Sequence, residues 1–309
     1  IRECHGDLHL GNMALIDGTV TFFDCIEFNP AFRFVDVICE LAFVLMDLES
    51  RGLFVEANHV LNTYLEYRDD YEGLALLNFY KVYFAMVRAK VALIQSQAKG
   101  VPSETFGHDK MPLSQRYVGL AERYLKPPHR YCALMHGVSG SGKTTVARQI
   151  SAKTGAIQVR SDVERKRIAG LLPNEKSIDT LADSIYTKAF SEKTFRRLEI
   201  LSQTVLAAGY PVIVDATFLS RKSRAPFEAL AAVCGLPCHI LNTVANEVSL
   251  RKRLEKREKE GGDASEAGVK VMLAQCKNLE GFSESERERV ITISSEHILI
   301  DDIASALQL

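Results

Sequence analysis

The feature that most constrains this chain is a glycine-rich turn set between an apolar run and a helical run. Gly137-Val-Ser-Gly-Ser-Gly142-Lys143-Thr144 fits the pattern GxxxxGK[ST], with RYCALMHG leading into it and TTVARQISAKTG leading out. Glycines in such a turn let backbone N–H groups converge on a phosphate, and the positive end of the following helix adds to the attraction. Lys143 is expected to reach the β- and γ-phosphate oxygens, and the Thr144 hydroxyl to ligate magnesium. Gly137, Ser139, Gly140, Ser141, Gly142, Lys143, Thr144 and Thr145 are therefore expected to cradle ATP with Mg2+. An accidental glycine-rich turn would not need the strand before it or the helix after it.

The surrounding pattern agrees. Beyond the turn, IQVR, PVIVDA, PCHILNTV and HILIDD read as strands, with helical stretches at about 180–209, 222–234 and 245–259. This β-α alternation predicts a P-loop NTPase domain, a three-layer α/β/α arrangement with a mostly parallel sheet. Residues 1–125 read differently. Met13–Ile16 and residues 19–23 are apolar runs joined by Asp17-Gly18, a hairpin signal. Wide apolar helical faces follow from Phe32 to Gln97, then a break at Gly100-Val101-Pro102 and a helix at about 113–125. Lys126-Pro127-Pro128-His129 is the most linker-like stretch. The expected domains are 1–125, a linker at 126–130, and 131–309, which suits a chain of 309 residues.

Acidic and basic residues near the predicted strand ends suggest chemistry, each with a plainer alternative. Asp215 closes PVIVD and is expected to hold magnesium through water, or else to cap the next helix. Asp162, in Ser161-Asp162-Val-Glu-Arg165, follows the second strand, where open α/β sheets place their ligand crevice. It could take a proton from an attacking hydroxyl, with Arg160 or Arg165 holding the acceptor, or it too could be a cap. Residues 251–260 carry six basic and three acidic side chains. Most such runs are solvated helix faces. Arg253 and Arg257 nevertheless share a face just before Gly261-Gly262, as lid arginines over a transferring phosphate would.

The order GVSGSGKTT, RSDVER, VIVDATF, then RKRLEKR with GGDASEA, resembles the P-loop kinases that include polynucleotide 5′-kinases, gluconate-type sugar kinases and zeta-toxin-like kinases. The resemblance spans nearly all of 131–309. It implies that Asp162 is the general base, that Arg165 three residues on is its partner, and that Arg253 and Arg257 belong to a lid.

The N-terminal segment carries a second motif. His5-Gly-Asp7-Leu-His-Leu-Gly-Asn12 fits H-x-D-x-x-x-x-N and closely resembles the HGDLHxGN loop of aminoglycoside phosphotransferases. The resemblance covers roughly 1–125 and implies that Asp7 is a catalytic base. It further implies that Asn12 and Asp24 hold magnesium and that Asp36 braces the loop. The hairpin would bring Asn12 and Asp24 together at its open end. Such enzymes also need an N-terminal lobe with a phosphate-pairing lysine. The segment therefore reads as a mainly helical kinase-like C-lobe only, expected to be inactive by itself and cut from something longer. Together the two resemblances suggest a phosphotransferase-like domain fused to a P-loop kinase.

Net charge is −1, so no global basic field recruits nucleic acid or membrane. A small-molecule phosphate acceptor is the expected partner. An ATP-hydrolysing regulatory domain and a nucleic-acid 5′-kinase are the alternatives. Seven scattered cysteines without a CxxC pair, no apolar run of 18 residues and no signal-peptide pattern lead us to expect a cytoplasmic protein.

Overall fold

A computed structural model of the chain describes residues 1–99, 111–126, 129–175, 185–260, 264–265 and 267–307. The expected breaker at Gly100-Val101-Pro102, the two linker prolines, the start of the 180–209 helix and Gly261-Gly262 lie outside the described residues. The chain divides into two compact units. One comprises Ile1–Leu61 and Glu72–Pro127, and the other Asn62–Tyr71 and Pro128–Leu309.

In the first unit, strand β1 (Arg2–Glu3) precedes the hairpin of β2 (Met13–Ile16) and β3 (Thr19–Phe22). The predicted turn is present, with positive φ at both Asp17 (48°) and Gly18 (76°), the twist that suits a two-residue hairpin. Short β4 (Phe34–Val35) pairs with β1 and leads into α1 (Val37–Ser50), which Asp36 caps. Helices α2 (Phe54–Arg68, whose residues from Asn62 onward belong to the second unit), α3 (Leu74–Lys99) and α4 (Leu113–Tyr124) follow. Phe43 and Met46 of α1 pack with Ala85 and Ala89 of α3 and Tyr117 and Leu120 of α4. Inside this core Lys81 Nζ donates to Glu49 Oε1 at 2.6 Å. Burial lowers the Lys81 pKa, and the carboxylate opposes it.

The second unit is built on a five-stranded, all-parallel sheet of order β6-β7-β5-β8-β9. Its strands are β5 (Cys132–His136), β6 (Ile157–Arg160), β7 (Val212–Asp215), β8 (Cys238–Val244) and β9 (Val290–Ser294). Every residue of β5, β6 and β7 is buried, as near-continuous apolar runs covered on both faces require. Alternate residues of β5 (Ala133 and Met135) join Val146 and Ile150 of α5 (Lys143–Thr154) and Leu307 of the last helix in one core. The remaining helices are α6 (Ser161–Ile168), α7 (Lys188–Ala207), α8 (Arg221–Val233), α9 (Glu247–Glu260), α10 (Val269–Lys277), α11 (Glu284–Arg287) and α12 (Ile300–Leu307). No helix among the described residues is long and apolar enough to cross a membrane.

One predicted strand is wrong. HILIDD opens into helix α12, and the fifth strand is instead VITIS. Ile300, Ile303, Ala304 and Leu307 recur at helical spacing, and the last three are buried. The aspartates between them face outward, which a strand of period two would not allow.

A buried ion pair fixes the region after β7. Arg224 of α8 is fully buried, its Nε donating to Glu286 Oε1 at 2.6 Å and its Nη1 to the Phe218 carbonyl at 2.9 Å. Glu286 also closes a capping box with Ser283. Burial acts to raise the Glu286 pKa, but Arg224 and Ser283 outweigh it and hold it down to about 2. A depressed carboxylate contributes stability above its ordinary pKa of 4.5, lost as pH falls towards 2. Glu286→Ala should cost this unit about 3–5 kcal/mol at neutral pH, because a buried guanidinium is left unpaired. Urea denaturation checks this, and a loss below ~1 kcal/mol would show the pair to be dispensable.

Candidate functional site

The turn between β5 and α5 can only be built with glycine at its key points. Gly137 has φ of 138°, and a Cβ there would stand 2.6 Å from the Thr243 carbonyl. Gly142 has φ of 95°, and a Cβ would meet Ser295 at 2.9 Å. Gly142 is also the N-cap of α5 and offers no side-chain acceptor, so the first amides of α5 remain available to an anion. Ser141 Oγ lies 2.9 Å from Thr243 Oγ1, which itself donates to the His136 carbonyl. Gly137 and Ser141 thus shape the loop and do not line the cavity. Ser139, Gly140, Gly142, Lys143, Thr144 and Thr145 do.

The cavity above this turn measures about 460 Å³. Lys143, Asp162, Arg165 and Asp215 share it with the two lid candidates, Arg253 and Arg257. Residues from four separate stretches of sequence therefore meet in one place. Lys143 is buried and donates to the Val138 carbonyl at 2.8 Å. Burial lowers its pKa from 10.5 to about 8, with Asp215 and Asp162 opposing. Asp215 is buried beside it. Burial raises its carboxyl pKa, while Arg160, Lys143 and a hydrogen bond with Thr144 pull it down. Thr144 and Asp215 thus set two hard oxygen donors side by side, a set that fits magnesium.

Arg160 is not placed to hold an acceptor. It lies outside the cavity, its Nε 3.9 Å from Asp215 Oδ2 and its Nη1 bonded to Glu66. Gln158 Nε2 donates to the same Asp215 oxygen at 2.9 Å. Asp215 is therefore oriented by its neighbours on β6, which lies beside β7 in the sheet. Asn62 pairs with the same strand, accepting from Gln158 N at 2.7 Å and donating to the Ala156 carbonyl at 3.1 Å.

Asp162 lies in the first turn of α6, whose N-cap is Arg160, and no hydrogen bond among the described residues ties down its carboxylate. Arg165, one turn on, is buried, with Nη1 donating to the Ile185 carbonyl at 2.8 Å and its Cζ 5.0 Å from the centre of the Tyr186 ring. Among the described residues its Nε is buried without a partner. Across the cavity, Arg253 donates to Ser295 Oγ at 2.7 Å and to the Gly140 carbonyl at 3.4 Å, and Arg257 to the Ala267 carbonyl. Gln275 of α10 accepts from Ser139 N at 2.7 Å, contributing a contact that the sequence did not signal. Nothing in the spacing of a lone glutamine 136 residues from its partner could have revealed it.

In the first unit, Asn12 is buried and its Nδ2 donates to the Asp7 carbonyl at 3.0 Å and to Asp7 Oδ2 at 3.3 Å. Phe23 N donates to the Asn12 carbonyl, so the open end of the hairpin sets Asp24 near this loop, exposed and at φ of 61°. The brace is not Asp36, which caps α1. Glu40, one turn along, accepts from His5 N and Gly6 N at 3.1 Å each, and Asp47 accepts from Leu10 N at 2.9 Å.

The unprotonated form of Lys143 grows as pH rises through about 8, and bound phosphates would restore its charge. A lowered lysine pKa means that its burial costs stability below pH 8 and that the cost is relieved as pH rises towards 10.5. ADP affinity should accordingly be flat below pH 8 and fall by up to about tenfold per pH unit above it. Calorimetric titration between pH 7 and 9.5 measures this, and a flat profile would mean that the lysine charge does not contribute to binding.

The second unit thus has the P-loop NTPase fold, with its glycine-rich turn at the carboxyl end of the central strand. Residues 133–282 match the family model described as an AAA domain. The chain is 30% identical over 234 residues to the uncharacterized protein Rv2004c of Mycobacterium tuberculosis. It matches the uncharacterized protein Mb2027c of Mycobacterium bovis to the same extent. The match takes in 75% of this chain and 45% of each relative, so the chain spans about half the length of the curated relatives it matches. Among solved structures, a putative kinase of Chloroflexus aurantiacus superposes with a TM-score of 0.46 at 14% identity, covering 58% of this chain and 97% of its own. A gluconokinase of Sinorhizobium meliloti superposes at 0.39 and 19%, covering 58% and 91%.

Proposed function

We propose that residues 131–309 form a domain that binds ATP with magnesium and transfers the γ-phosphoryl group to a hydroxyl of a small-molecule acceptor. One observation carries this reading. The untethered carboxylate of Asp162 and the buried, part-unpaired guanidinium of Arg165 share a cavity with Lys143, Thr144 and Asp215. Plain hydrolysis needs a phosphate site and a water, whereas a carboxylate and an arginine beside that site suit an acceptor to be held and deprotonated.

In this mechanism the turn amides and Lys143 hold the β- and γ-phosphates, and Asp162 accepts the proton of the acceptor hydroxyl. The hydroxyl oxygen then bonds to the γ-phosphorus as the bond to the ADP oxygen breaks. Arg253 and Arg257 neutralise charge on the transferring group once they exchange their carbonyl partners for phosphate oxygens. Thr144, with Asp215 behind it, would hold the magnesium, which neutralises phosphate charge when bound.

The domain limits 1–125, 126–130 and 131–309 are part of the proposal. So is the aminoglycoside phosphotransferase-like reading of the first unit, with Asp7 as base and Asn12 and Asp24 as magnesium ligands. The Asn12–Asp7 hydrogen bond and the hairpin placing Asp24 near that loop support it. The test of the main reading is ATP turnover against sugars, aminoglycosides, nucleosides and 5′-hydroxyl oligonucleotides. Slow turnover alone and a rise of at least tenfold with one small acceptor is the expected result. Rapid turnover indifferent to every acceptor would instead favour the ATP-hydrolysing regulatory domain. A rise with oligonucleotides alone, steeply suppressed by salt, would favour the 5′-kinase.

A further inference from the structure

The phosphate cavity does not end at the acceptor side. Ser191 and Phe195 of α7 form part of its wall and also part of the wall of a second hollow, a groove of about 350 Å³ between α7 and α8. The two hollows are therefore neighbours through this pair of side chains. The groove is floored by apolar groups, with Phe195 half-buried, Phe227 buried and Pro226 closing one side. Charged side chains, Lys188, Glu192, Arg196 and Lys222, stand exposed around it. A volume of this order with an apolar floor and a polar rim is that of a small-molecule site.

Chemistry narrows the occupant. Arg165 lines the phosphate cavity with Asp162 and bonds Ser191 of the shared wall; it is more than nine-tenths buried and held at one end by the Ile185 carbonyl and that serine. Among the described residues its Nε has no partner, although it is buried against the cavity. Tyr186, whose ring lies 5.0 Å from that guanidinium, adds an aromatic face. A molecule reaching from the groove past Ser191 and Phe195 would thus leave an apolar floor for a cavity lined by the Tyr186 ring, the Arg165 guanidinium and Asp162. A compact polyol would set hydroxyls against the apolar faces of Phe195, Phe227 and Pro226, which cannot pair them, at a cost in free energy, and only the polar groups around that floor would offer partners. A body without such hydroxyls would displace water from that floor at a gain.

We propose that the acceptor is an alcohol with an aromatic or alicyclic body, which lies in the α7–α8 groove and presents its hydroxyl to Asp162 past Ser191 and Phe195. The inference rests on the transfer reading above and specifies the acceptor for it. The test measures acceptor-stimulated ATP turnover on pairs that share a reactive hydroxyl and differ in body, such as methyl and phenyl glycosides, or ribose and nucleosides. The apolar-bodied member should show at least tenfold higher kcat/KM than its compact partner. Phe195→Ala should cut that preference about tenfold. Because Phe195 also packs edge-on against Phe218 at 5.5 Å, a second variant, Glu192→Trp, fills the groove from an exposed helix position and should cut it equally. Compact polyols turned over as well as their partners, or a preference that survives Glu192→Trp, would overturn the groove and leave the transfer reading standing. Turnover that no alcohol raises would overturn both.

Discussion

Lys143→Ala should lower ATP turnover by at least about 10³-fold without lowering the melting temperature of the second unit. The loss of one preorganised neutral donor aimed at a developing anion costs about 10²–10³ in rate. Lys143 adds ground-state attraction for two phosphates to that, so the effect should exceed the range for a neutral donor. Stability should move the other way. The ammonium is buried, and burial has already pulled its pKa down to about 8, so at neutral pH the folded unit bears the cost of keeping it charged. Its one hydrogen bond, to the Val138 carbonyl, is lost with it, which limits the gain. Differential scanning fluorimetry and a coupled ADP assay on the same samples separate the two effects. A variant that keeps its melting temperature and its turnover would place the phosphate site elsewhere. A variant that unfolds would make Lys143 a structural residue first.

How much of this could be read beforehand depends on whether the signal is local. The turn at 137–144 announces itself because glycine, lysine and threonine each answer a requirement at a fixed offset, and the flanking strand and helix fall within a few residues. The placing of Asp215 and Asp162 in the cavity beside that turn was legible for the same reason, since strand ends in a parallel sheet all point to one edge. HILIDD was misread because three consecutive apolar residues, Ile298 to Ile300, fit a strand as well as the start of a buried helix. Only the longer spacing through Leu307 decides between them. The contacts that orient the site were invisible. Arg160, read as an acceptor ligand, turns to Asp215 and Glu66, and Gln275 reaches Ser139 from 136 residues away. Glu40 rather than Asp36 braces the N-terminal loop, because Asp36 is used up in capping the helix that carries both. Each of these is a pairing made by tertiary packing, which leaves no spacing in the chain.

Asp162→Asn should lower phosphoryl transfer to the acceptor by about 10²–10⁴-fold and leave nucleotide affinity within about twofold. The structure removes the main structural alternative from this variant. The N-cap of α6 is Arg160, and Asp162 stands in the first turn with no capping bond to lose. What remains structurally is attraction to the positive helix end, about 0.3–1 kcal/mol for a carboxylate, and the neutral amide gives up only that. The carboxylate also acts to raise the Lys143 pKa, so the variant should move the pH at which ADP affinity begins to fall slightly below 8. That small shift is a signature of the intended substitution being felt at the phosphate site. Loss of transfer with ADP binding and melting temperature retained would place the proton acceptor at Asp162. Full transfer by the asparagine variant would remove Asp162 from the chemistry. The acceptor would then be deprotonated by the phosphate itself, with Arg165 and the two lid arginines left to hold it in line.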